Sequence, residues 1–295
     1  MKHYHSVENT IVEIVITLLL VMILITCIMP LTNVVALSFS GKEAAISGKV
    51  SFWPVDPTLA SYEYLMKDTR FFDAFGVSVK RVLIGGAINL VMSLFMAYPL
   101  SMEKQRFPSR GVYMWVLIFC MLFSAGIVPW YFAVRYTGIM DTIWALVLPG
   151  AVPVFNVILL MNFFRNLPGA VRESAELDGA GEFRMLFSIY IPLSLPSIAT
   201  ITLFSIVNHW NSFFDGMLLI NSANKVPLQT YIQSLTIRTS DLSTMGLSAE
   251  QMMAMMSQRT FNAAKIVVST LPILMIYPFM QRYFIAGITL GSVKE

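Results

Sequence analysis

Charge is what this sequence has least of. Asp, Glu, Lys and Arg make up only 13% of its 295 residues, and they nearly cancel to a net +3. So small a surplus argues against nucleic acid as the partner. Cysteine is scarce too: Cys27 and Cys120 both fall inside apolar stretches and read as small core residues, not as a disulfide or metal pair. Of three histidines, His3 and His5 lack a third ligand nearby and belong to a solvated terminus. No G-x-x-x-x-G-K-[ST] run is present, since Gly41-Lys42 lacks the earlier glycine, so the sequence holds no phosphate cradle. It also lacks H-E-x-x-H and Cys/His metal spacing. Gly246-Leu247-Ser248-Ala249-Glu250 begins like a nucleophile elbow but has no second glycine.

What is there is hydrocarbon. Hydrophobic residues form 56% of the chain, and its mean hydropathy is +0.69. A bilayer core of about 30 Å needs roughly 20 apolar residues per helix. Six stretches meet or approach that length: 11–36, 77–100, 112–134, 142–164, 193–220 and 263–286. They predict an all-α polytopic membrane protein, a single transmembrane domain over 1–295 with no soluble catalytic domain. Two long outer loops follow, 37–75 and 221–260. The first stretch is too long for a removed signal peptide and is expected to stay as an anchor. Lys104, Arg106 and Arg110, then Arg165, Arg172 and Arg184, then Arg282 and Lys294 fall on one side of six spans. Positive loops face the cytoplasm, which puts both termini there.

Polar residues inside the spans mark the remaining candidates. Asn208-His209-Trp210-Asn211-Ser212, followed by Asp215, is the most polar intramembrane run. Such groups are costly at membrane depth and face a cavity or another helix. Amides pair with sugar hydroxyls and an indole stacks on a sugar ring; Asn156 adds another amide. Two readings stand, a pathway lining or polar glue between helices. A serine–histidine pair from His209 with Ser205 or Ser212 would instead make a membrane-embedded hydrolase. Gly85-Gly86 allow close helix packing, Pro149-Gly150 and Pro153 interrupt the fourth span, and Asp141 suits its N-cap. The pattern over 58–67 suggests a short surface helix. Met252, Met253, Met255 and Met256 form an adaptable apolar face in the second outer loop.

The longest charged interior stretch is the loop 165–192. Arg172, Glu173, Glu176, Asp178 and Glu182 crowd into eleven positions, with Arg184 two further on. Pro168 suits a first helical turn. Glu173 and Glu176 share a helix face, and Gly179 and Gly181 end that helix. Phe183, Leu186, Phe187 and Tyr190 then recur at i, i+3, i+4, i+7 as one apolar stripe.

Glu173-Ser174-Ala175, three residues, Gly179, nine residues, then Ile189-Tyr190-Ile191-Pro192 resembles the EAA loop of ATP-binding-cassette importers. Ser174 and Ile191 stand where that pattern has Ala and Leu. The resemblance implies a type I importer permease fold with a cytoplasmic coupling helix that docks on an ATP-hydrolysing subunit. It assigns Glu173, Ser174, Ala175, Glu176, Asp178, Gly179, Phe183 and Leu186 to that docking. Glu173 would contact the ATPase, Gly179 permit the bend, and Phe183 and Leu186 fill an apolar recess. The tail from Gln281 to Lys294 resembles the ending of the carbohydrate branch. Length and ending look most like the branch for uronates and complex oligosaccharides, including alginate-importer permeases. The implied machine pairs this chain with a related second permease and two ATPase copies in a bacterial cytoplasmic membrane, with a solute-binding protein docked outside. ATP and Mg would be bound by the ATPase, leaving no cofactor in this chain. A secondary transporter or channel is the alternative, and it leaves the charged loop unexplained.

Overall fold

A computed structural model describes residues 7–242 and 258–292, with side chains for 11–235 and 258–278. His3, His5, the methionine run 251–256 and the tail's side chains therefore lie outside the described residues. The described residues contain helices and turns and no β-strand. The chain divides into two compact units, Met1–Thr69 with Ser234–Thr270 and Arg70–Gln233 with Leu271–Glu295.

In the first unit, α1 (Val7–Ser38) is apolar around its whole perimeter and exposed along most of its length, the state expected of a helix whose solvent is lipid. Beyond it, α2 (Lys42–Ile46) and α3 (Ala60–Leu65) fold the following loop into a small cap. Asn33 Nδ2 donates to the Ser51 carbonyl at 2.7 Å, and Ser38 Oγ lies 2.8 Å from the Tyr62 hydroxyl. The short helix expected over 58–67 is α3. Lys265 pairs with Asp68 at 2.7 Å and lies 4.0 Å over the Phe261 ring.

The second unit is built on α4 (Thr69–Ser101), which starts eight residues before the span expected at 77. Two helices, α5 (Arg110–Leu122) and α6 (Ile127–Tyr136), meet at 118°, so the stretch expected over 112–134 is not one rod. The turn starts at Phe123, whose backbone is extended (φ −92°, ψ 120°). Next come α7 (Ile143–Val147), a 3₁₀ turn Leu148–Gly150 and α8 (Val154–Arg165), bent by 46° where Pro149 and Pro153 deny the helix its N–H donors.

The charged loop holds α9 (Gly169–Leu177) and α10 (Glu182–Met185), then a π-helical turn Leu186–Tyr190 and α11 (Ile191–Leu193). At 85° to these runs α12 (Leu195–Asn211), then α13 (Phe214–Leu219), so the span expected over 193–220 is also divided. α14 (Leu228–Leu242) and α15 (Arg259–Ser292) follow. Among the described residues three helices are long and apolar enough to cross a membrane, and three bent pairs bring the total to six if each is one span. The main core joins Leu94, Tyr98, Leu160, Phe164, Met185, Leu186, Tyr190 and Ile201, from α4, α8, the loop and α12.

Candidate functional site

Broken helices leave carbonyls without intrahelical partners, and at membrane depth these must be met by other protein groups. α4 meets them. Asn89 Nδ2 donates to the Gly150 and Ala151 carbonyls at 2.7 and 3.0 Å, at the α7–α8 break. Arg81 donates to Leu146 O and Ser212 O, both at 3.3 Å, one at each break. Its fork also grips both carboxylate oxygens of Asp215. Asp215 Oδ1 further accepts the Ser212 hydroxyl at 2.8 Å and the Gly216 N–H at 2.9 Å.

These groups surround a cavity of about 900 Å³ whose wall includes Arg81, Trp130, Asn208, His209, Ser212 and Asp215. His209 is only 3% exposed. A Cβ on Gly85 would overlap its imidazole, so the absence of a side chain there is what lets α12 lie against α4. Since the Asn89 amide nitrogen is committed to carbonyls, Oδ1 faces His209 and accepts from Nε2 at 2.8 Å. The amide assignment thereby fixes the proton on Nε2.

The polar residues singled out in the sequence separate into two sets. Asn208, His209 and Asp215 line the cavity. Asn156 is buried between α8 and α12, donating to Ile201 O and Ser205 Oγ, both at 3.1 Å. Trp210 is buried edge-on to Phe75 at 5.6 Å, and Asn211 is exposed; neither lies on the cavity wall. Arg81 and Trp130, which no sequence motif singles out, also line the cavity. Asp141 does not cap the fourth span. Its carboxylate turns to the 221–225 turn, accepting from Asn221 N–H (3.0 Å), Ser222 N–H (2.9 Å) and Lys225 Nζ (3.0 Å). The Ser222 hydroxyl, then its N–H and Lys225, hold this carboxyl far below the usual range.

The charged loop is organised by arginines. Arg172 donates to Glu176 one helical turn away at 2.8 Å and to both oxygens of Glu182 at 2.8 and 3.1 Å. Arg106 grips Glu176 from the 102–109 turn, and the Tyr98 hydroxyl of α4 donates to Glu182. The Glu176 carboxyl is pulled down to about 2, chiefly by Arg106, with burial opposing and Arg172 reinforcing. Gly179 takes φ +74°, a conformation L side chains rarely adopt, and turns α9 toward α10.

Of the residues assigned to docking, Glu173, Ser174, Asp178, Gly179 and Phe183 are exposed. Ala175 and Leu186 are buried in the chain's own core, and Glu176 is bound by the two arginines. The apolar stripe also divides: Leu186 and Tyr190 point inward, while Phe183 is 73% exposed and Phe187 half-exposed. The π turn explains this. At more than four residues per turn it brings i and i+4 onto one face, so 186 aligns with 190 and 183 stays with 187. Leu177, which the motif reading passed over, is 89% exposed at the end of α9.

Broken helices in a membrane scaffold, an open and mainly apolar cavity edged by a few polar groups, and a charged loop are the architecture of a transport subunit. The chain belongs to the family of binding-protein-dependent transport system inner membrane components, which matches residues 79–290. It is 37% identical to the polygalacturonan/rhamnogalacturonan transport system permease protein YtcP of Bacillus subtilis (strain 168), over 97% of this chain and 99% of that one. It is 38% identical to protein LplC of the same organism, over 90% of this chain and 89% of the other. A chain in the crystal structure of a bacterial ABC transporter involved in the import of the acidic polysaccharide alginate superposes with a TM-score of 0.85. That chain is 28% identical, with 96% of this chain and 100% of that chain covered.

Proposed function

We propose that this chain is one of two permease subunits of an ATP-binding-cassette importer for acidic oligosaccharides of the uronate type. It forms half of the pathway, and ATP and Mg are bound and hydrolysed by a separate subunit docked on residues 169–186. A solute-binding protein delivers the sugar from outside, and both termini face the cytoplasm, as the Lys/Arg-rich loops favour.

The carrying observation is the divided loop. Glu176, Ala175 and Leu186 fasten it to α4, α8 and the chain's own core, while Glu173, Ser174, Leu177, Asp178 and Phe183 are left outward. Exposed leucine and phenylalanine beside carboxylates suit an apolar recess with a polar rim on a water-soluble partner. Polygalacturonan/rhamnogalacturonan transport by YtcP and alginate import by the structural neighbour's complex support the acidic oligosaccharide.

The test is purification from membranes together with the native neighbouring chains. An ATP-hydrolysing chain should come with the wild type, and Leu177→Glu with Phe183→Glu should lose that chain while keeping the second permease. Uptake of digalacturonate into proteoliposomes should then require ATP. Uptake that continues without any ATP-hydrolysing chain would overturn the reading.

A further inference from the structure

The cavity wall holds a buried guanidinium whose bonds to two helix breaks and to Asp215 do not use all of its donors. Among the described residues Arg81 is the one arginine or lysine on that wall; it is 3% exposed and already grips a carboxylate with both arms of its fork. We propose that Arg81 is the residue by which the pathway recognises a uronate carboxylate, with Asp215 occupying that place until the sugar arrives. This rests on the acidic-oligosaccharide reading above.

Three features carry it. First, a uronate entering a helix-lined space needs a counter-charge, because an unpaired carboxylate away from water is costly. Arg81 supplies it, in a geometry that a carboxylate demonstrably fits, since the side chain of Asp215 sits in it. Second, the exchange keeps Arg81 paired, because one carboxylate replaces another on the same fork. Asp215 gives up its counter-charge when it leaves but keeps the Ser212 Oγ–H and Gly216 N–H donors. Arg81 is not released either, because the Leu146 and Ser212 carbonyls continue to hold it.

Third, the wall has polar capacity left over. Arg81 Nε and His209 Nδ1 are buried without hydrogen-bond partners. With Nε2 donating to Asn89, the free His209 nitrogen is an acceptor. A donor and an acceptor on neighbouring wall residues suit a carboxylate with a ring hydroxyl beside it. Trp130, on the same wall, offers an aromatic face for the sugar ring. Asp215 is the moving part, since its side chain is 16% exposed where that of Arg81 is 3%.

The experiment uses the assembled complex in proteoliposomes with digalacturonate and a neutral disaccharide as competing substrates. Arg81→Gln alone would strand a buried aspartate, so it is combined with Asp215→Asn. The acidic-to-neutral uptake ratio of the double variant should fall by about ten- to a hundredfold, the range for losing a charge-assisted bond. Asp215→Asn alone removes the resident competitor, so digalacturonate should raise its thermal unfolding midpoint more than that of the wild type. An unchanged ratio in the double variant, or no added thermal shift in Asp215→Asn, overturns the proposal. The functional reading fails separately, and takes this one with it, if the wild-type complex itself imports no digalacturonate.

Discussion

Arg81 and Arg172 are both guanidiniums that grip two carboxylate oxygens, yet their surroundings differ. Arg81 is 3% exposed in a closed one-to-one pair, backed by two carbonyls from helix breaks. Arg172 is 13% exposed and shared between Glu176 and Glu182, with Arg106 and Tyr98 competing for the same carboxylates. Loss of one member of the buried pair leaves the other without its resident counter-charge, whereas the loop can redistribute its partners and recruit water. The difference teaches where charge serves stability and where it serves adjustment.

The sharpest way to break that comparison is Arg81→Leu against Arg172→Leu. Removing one member of a buried pair costs about 3–5 kcal/mol, and here it also frees two carbonyls. Removing Arg172 should cost about 1 kcal/mol or less, as for partly solvated pairs. Thermal unfolding of the detergent-solubilised complex ranks them, and equal losses would end the distinction.

A smaller effect is expected at the contact that sets α12 against α4. Gly85→Val places a side chain where the His209 ring lies, and overpacking of this kind costs about 1–3 kcal/mol. Gly86→Val, at a position with open space, should cost less. Equal midpoints for the two would show that the close approach is not needed.

The mildest effect is that of pH on the loop. The Glu176 carboxyl sits at about 2 against an ordinary 4.5. A depressed carboxyl contributes stability that is fully present above its unfolded value and is lost as pH falls through the folded one. Hydrogen exchange of Gly169–Leu177, corrected for intrinsic rates, should therefore be flat from pH 8 to 5 and rise between about 4.5 and 2. Arg106→Ala should move that rise to higher pH. A rise already between pH 8 and 5 would point to a different titrating group.

Much of the loop was legible in the sequence because its signals are local. Gly179, the spacing to Pro192 and the acidic face of α9 all lie within a few turns. What stayed hidden were pairings across the chain. Arg106 reaches Glu176 over seventy residues of sequence, and nothing local marks Glu176 as occupied. The stripe through Phe183, Leu186, Phe187 and Tyr190 was correct in content but wrong in period, because the π turn changed the repeat beneath it. In the membrane segments, Gly85 and His209 each stood out, but not as two halves of one contact. Arg81 was hidden most deeply. Its role follows from carbonyls freed at two helix breaks, and the positions of those breaks cannot be assigned to a distant donor by reading either stretch alone.

Arg81 and Tyr98 stand on one helix, seventeen residues apart, or about 25 Å along its axis at 1.5 Å per residue. One touches the carboxylate on the cavity wall and the other the carboxylate at the root of α10. A tilt of about 10° about either point would swing the other by roughly 4 Å, more than the length of a hydrogen bond. Any such tilt imposed at the loop end of α4 would reach the cavity large enough to exchange partners there.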